Sequence, residues 1–135
     1  MKKRKEDYGK YRFEDSKDKL KSAQILFKKG QFKDSLSRSY YAMFSAARSL
    51  LVMKELDSSK HSGVISLFNQ HFVKTGMVSK EAGKILKEAK ELRESSDYED
   101  FYLVSKDDVT KQIENAKRFI DEAGRVLRSI IKSSE

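Results

Sequence analysis

The stretch QFKDSLSRSYYAMFSAARSLL, residues 31–51, carries three different surfaces when wound as a helix at 100° per residue. Phe32, Leu36, Tyr40, Met43, Phe44, Ala47, Leu50 and Leu51 share an arc of about 120°, the width of a stripe that faces a hydrophobic core. A second stripe, Ser35, Ser39, Ala42, Ala46 and Ser49, holds only small residues and lets another backbone approach closely, from this chain or from a second copy. The remaining sector holds Ser37, Arg38, Tyr41, Ser45 and Arg48, where two guanidinium groups flank a tyrosine and two hydroxyls. Two packing faces make this a central helix, and the third face is where binding chemistry can start.

Within it, RSYYAMFSAARSLL (38–51) resembles the second helix of HEPN-domain proteins. KHSGVISLFNQHFVKTG (60–76) and ELRESSDYEDF (91–101) resemble the next HEPN blocks, in the same order, so the resemblance covers residues 14–130. Composition agrees with the fold it implies. A chain of 135 residues suits one domain, and the absence of Pro, Cys and Trp with 37% charged residues favours an all-helical protein. Without cysteine there is no disulfide, thiol or Cys-based zinc chemistry, and two histidines outside any H-E-x-x-H spacing give no metal site and call for no cofactor. No apolar run reaches the roughly 18 residues that span a bilayer, and the basic start is not followed by a signal-type apolar region. A cytoplasmic protein without a membrane partner is therefore expected.

The order of helices follows from start and stop signals. The first is expected over 15–29, with Phe13, Leu20, Ala23 and Phe27 inward and Gly30 as its stop after two lysines. Ahead of it, residues 1–12 read as a basic flexible tail with six Lys or Arg against two acids, leaving 13–135 as a single helical domain. The central helix ends near 54–56, and Asp57, Ser58 and Ser59 offer capping oxygens to a third, shorter helix with Val64, Leu67, Phe68 and Phe72 apolar. Thr75-Gly76 stops it. Ser79 caps a fourth helix with the stripe Ala82, Ile85, Leu86, Ala89 and Leu92, and 94–102 reads as a polar connection. Ser105-Lys106-Asp107-Asp108 is a capping box with Asp for Glu, and Val104 against Val109 is the spacing of a hydrophobic staple. The last helix then runs for about 25 residues, some 37 Å, long enough to lie along the central one. The fold is all-α, an antiparallel up-and-down bundle of four main helices plus a shorter one.

Function rests on a short set of residues. The resemblance places Arg93, Asp97 and Tyr98 where HEPN ribonucleases carry an arginine followed four to six residues later by a histidine. Tyr98 stands at a position for that histidine, and a side chain with a pKa of about 10 is a poor proton shuttle near neutrality. Asp97 four residues after Arg93 can equally be an ordinary helix-surface pair. Some HEPN toxins have a nearby tyrosine that a partner nucleotidyltransferase modifies with AMP; the matching position is Asp100, with Tyr98 and Tyr102 beside it. Arg38, Tyr41 and Arg48, with Arg93 and His61, are ligand-binding candidates because guanidinium forks suit phosphates. The plain alternatives are a solvated face for the arginines and a neutral helix-start residue for His61.

Three functions stay open. The resemblance implies a binding module, the toxin-like or substrate-binding partner of a minimal nucleotidyltransferase in a toxin–antitoxin-like pair, homodimeric and holding nucleotide or RNA phosphates in a basic cleft. A metal-independent HEPN ribonuclease is the second, and the missing histidine argues against an enzyme. The third is a basic helical adaptor that takes nucleic acid through its net charge of +8.

Overall fold

The structure, a computed structural model, describes residues 2–98 and 102–135. They form α1 (Lys2–Lys28), α2 (Phe32–Met53), α3 (His61–Phe68), α4 (Lys80–Tyr98) and α5 (Lys106–Ser133), and α3 runs on into a π-helical turn over Asn69–Val73. No strand occurs among the described residues, and the architecture is an all-α bundle.

α2 is central because both of its packing stripes are used. Leu36, Tyr40, Met43, Ala47, Leu50 and Leu51 are fully buried, and so are Ser35, Ser39, Ala42, Ala46 and Ser49. The small stripe takes α1, so its partner lies within the subunit. Ser35 Oγ donates to Ala23 O at 2.7 Å, and a Cβ on Gly9 would sit 3.3 Å from Ser49 O. α5 packs beside α1, and its buried Gln112 Nε2 donates to Leu36 O and to Ser39 Oγ of the same small stripe at 3.2 and 3.1 Å. Phe68 joins the layers, with ring centroids 5.9 Å from Phe72 and 5.5 Å from Phe119.

The stops and caps are local. Gly30 takes φ 77°, and the Gln31 N–H reaches back to Leu26 O at 2.9 Å, closing α1 in a Schellman turn. Ser79 Oγ accepts from Ala82 N–H at 3.1 Å and Ser105 Oγ from Asp108 N–H at 3.0 Å, each satisfying an orphan donor of its helix. Glu122 on α5 reinforces the first of these caps, accepting from Ser79 N–H at 2.6 Å and from its hydroxyl at 2.8 Å.

Three expectations change. α1 begins at Lys2 rather than 15, so the basic segment expected as a tail is helical, packed through the buried Gly9 near Met53 and Leu127 and through Arg12, which donates to Arg48 O at 3.4 Å. Asp57 Oδ1 and Ser58 Oγ accept inside the loop, from Ser58 N–H and Lys60 N–H, and α3 starts without a side-chain cap. α4 continues through the expected connection to Tyr98, supported by the i, i+4 pairs Lys90–Glu94 and Arg93–Asp97 and by the buried Ser96. Asp100 lies outside the described residues.

Candidate functional site

The apolar stripe of α4, Ala82, Ile85, Leu86 and Ala89, is buried against the core, and this fixes the rotation of the helix. One turn further on, Arg93 comes over α2 with its guanidinium carbon 5.1 Å from the centre of the Tyr41 ring and 5.7 Å from that of Tyr40. Its Nε lies 3.2 Å from Asp97 Oδ2, with the N–H off line, so the contact is an ion pair and not an aligned hydrogen bond. Two ring faces and one carboxylate therefore seat this cation. The Arg93 side chain is 17% and the Asp97 side chain 28% exposed, whereas Tyr98 is 74% exposed and outside the cluster.

The histidine that joins is His61, the first residue of α3. Its ring stacks on Phe44 at 4.3 Å, meets Tyr41 edge-on at 5.7 Å, and places Nδ1 3.1 Å from the buried Tyr40 hydroxyl. Burial, and then the positive charges of Arg93, Lys90 and Arg48, push the imidazole below its ordinary range against a smaller pull from Glu94. It is neutral at pH 7. Burial also pushes the Tyr40 hydroxyl well up, so it stays protonated. We assign Tyr40 as donor to Nδ1, which puts the imidazole proton on Nε2. Arg93 and His61 thus pack on the same two tyrosines although they are far apart in sequence.

Arg48 sits beyond Phe44, in a cleft of about 510 Å³ that also includes Lys60 and His61. Its Nη2 donates to Asp57 Oδ2 at 3.2 Å, and Arg12 of α1 reaches the same oxygen at 3.8 Å. Burial alone would raise the Asp57 carboxyl; the Ser58 N–H and the two guanidinium groups outweigh it and hold the group below its usual value. Arg38 is exposed and makes no hydrogen bond or ion pair among the described residues. The structure thus brings Arg93, Asp97, Tyr41 and His61 together, sets Arg48 on the far side of Phe44, and leaves Arg38 and Tyr98 outside. Tyr40, Arg12 and Asp57 are the additions. Tyr40 reads as core from its stripe, and nothing in local spacing pairs Arg12 with Asp57.

Among the described residues no three His, Cys, Asp or Glu side chains gather as a metal site requires, and no helix is long and apolar enough to cross a membrane.

An all-helical bundle whose middle helix presents two tyrosines to an arginine at the end of the fourth helix defines a class, and similarity to known proteins names it. A HEPN domain model matches residues 10–126. A UPF0332 protein of Thermotoga maritima is 36% identical over 111 residues, covering 82% of this chain and 84% of that one. Two Methanocaldococcus jannaschii proteins, each named "putative toxin", are 32% and 28% identical over 116 residues, spanning 86% of this chain and 86% and 79% of their own. The chain belongs to the HEPN-domain family.

Proposed function

We propose that this protein is a toxin-like HEPN module that binds the phosphates of a nucleotide or RNA where α2, α3 and α4 meet, as the binding partner of a minimal nucleotidyltransferase. The observation that carries the binding is the seat of Arg93. A guanidinium held over two ring faces, with a single carboxylate on one edge, keeps other donors for two oxygens of a phosphate, and Tyr98 in place of histidine leaves the motif without its proton carrier. The relatives named as toxins support the toxin-like half, and the resemblance to HEPN proteins encoded beside nucleotidyltransferases supports the pairing. A homodimer belongs to the same reading and has to use a surface other than the small-residue stripe, which α1 covers.

Titration of AMP and of a labelled oligoribonucleotide tests the binding. Arg93→Ala should weaken both by about tenfold or more, because a hydrogen bond to a charged group is worth about 1.5–3 kcal/mol, and the wild type should cleave nothing. Unchanged affinity in Arg93→Ala sinks the binding site. The identity of the neighbouring reading frame tests the pairing: a small nucleotidyltransferase that co-elutes with this protein on co-expression supports it, and a different gene or separate elution removes it.

One observation favours the ribonuclease as a second reading. His61, a neutral imidazole, rests on the same tyrosines as Arg93 and supplies the imidazole that the block after Arg93 lacks. RNA cleavage by the wild type, lost in both Arg93→Ala and His61→Asn, would replace the binding reading with that one.

A further inference from the structure

The cleft beside Arg48 does not end at the α2–α3 corner. Asp57 lines both it and a second cleft, of about 280 Å³, that runs under the first turns of α1. Arg4, Tyr8 and Arg12 line this second cleft at four-residue spacing on one side of the helix, with Lys5 beside them, a stripe about 12 Å long. Tyr8 is half exposed, so its ring is open between two cations.

Charge along the joined clefts is unbalanced. Arg4, Lys5 and Arg12 on α1 and Arg48 and Lys60 on the other wall face only Glu55 and Asp57, an excess of three positive charges. Asp57 serves two guanidinium groups at once, and Arg48 keeps a buried Nε without a hydrogen-bond partner. The two cations also press on each other: burial and then the nearby Arg48 charge lower the Arg12 group. A carboxylate that is 51% exposed is already half in water, so a stronger anion can displace it without opening the core.

We propose that the joined clefts form a track for single-stranded nucleic acid, in which phosphates take the guanidinium groups of Arg12 and Arg48 from Asp57 and a base stacks on Tyr8. The track rests on the reading that the protein binds phosphate, and extends it away from Arg93 to a strand several nucleotides long. Asp57 is the internal competitor, holding the two arginines in place until a phosphate arrives. Alternation of cations with an open aromatic ring fits a flexible strand, whose bases are free to stack, better than a duplex, whose bases are covered.

Anisotropy titrations of a labelled ten-residue oligouridylate, with AMP and UMP as mononucleotide probes, test the track over a series of salt concentrations. Asp57→Asn removes the competitor while keeping the loop oxygen that Ser58 N–H uses, and should tighten the decamer by about fivefold at low salt. Arg4→Glu, an exposed change, should weaken the decamer and flatten the slope of its salt dependence by about 0.7 for each phosphate left unneutralised. Arg4→Glu should leave mononucleotide affinity unmoved, since Arg4 lines only the second cleft. If both variants bind the decamer like the wild type while AMP still binds through Arg93, the track is wrong and the Arg93 site stands. If AMP fails to bind but the decamer responds to both changes, the Arg93 site is wrong and the track stands. Equal binding of a deoxyribonucleotide decamer supports recognition by backbone and stacking, and tighter binding of the ribonucleotide strand also supports the track. A decaglutamate peptide that matches the decamer in affinity and in its response to Asp57→Asn overturns it in favour of an acidic protein ligand. Thermal midpoints of both variants within a few degrees of wild type ensure that the isotherms report binding; an Asp57→Asn protein that unfolds at assay temperature shows Asp57 to be structural and also overturns the proposal.

Discussion

His61 is the residue whose chemistry depends most on the fold around it. In the unfolded chain its imidazole titrates near 6.5, whereas in the fold burial and three cations lower that value. A depressed folded pKa means that the unfolded state binds the proton first. The stability due to neutral His61 is therefore complete above about pH 6.5 and is lost as pH falls from there through the folded pKa. Thermal midpoints measured between pH 7.5 and 5.5 should fall in the wild type and fall less in His61→Asn, a window above the range in which Asp57 titrates. Parallel curves for the two proteins would show that His61 is not the group responsible. This partnership is not legible in sequence. Arg93 and Tyr98 can be located from a local block, but the histidine that approaches the arginine arrives from another helix, and no spacing rule links position 61 to position 93. The Tyr40 hydroxyl is hidden for a related reason: a tyrosine at a core position reads as apolar area, and its polar end shows only once α3 is docked on α2.

At the level of helices, α2 is readable because each of its faces repeats one residue type over several turns. The core stripe and the small stripe are both buried as their patterns require. α1 is harder, because over residues 2–12 it has no apolar stripe and is held instead by close approach. Gly9 lies against α2, and further along α1 Phe13 lies against Gly124 of α5, where a Cβ would stand 2.7 Å from Phe13 Cζ. Gly124→Ala should cost about 1–3 kcal/mol of overpacking, more than the roughly 1 kcal/mol that alanine gains in a helix. Urea unfolding measures the balance, and a stabilised variant would mean that Phe13 moves aside freely. The extension of α4 to Tyr98 escapes a sequence reading for another reason. ELRESSDY is polar and carries two serines, and what holds it helical is a pair of i, i+4 ion pairs and the burial of Ser96, each a contextual effect.

Across the whole molecule, the order and direction of the helices follow from signals that work over four or five residues, the caps at Ser79 and Ser105 and the left-handed glycines at 30 and 76. The candidate site depends on contacts between helices and is correspondingly less legible: four of its side chains could be named beforehand, but not which of them meet. The bond between Glu122 and Ser79 has a consequence for motion. It ties the first turn of α4 to α5 through two short hydrogen bonds, while the last turns of α4 rely on ion pairs that are partly exposed to water. α4 is therefore tied by hydrogen bonds to α5 at its first turn, and Arg93 lies in the half that is held by ring contacts and ion pairs instead. Amide hydrogen exchange should be slowest from residue 82 to residue 90 and fastest from 94 to 98, with Glu122→Gln evening out the gradient. Uniform protection along α4 would show that the tie has no such effect. In the proposed site the guanidinium thus belongs to the half of α4 that should open more readily, and Arg93 keeps its place over the α2 tyrosines only while that terminus stays helical.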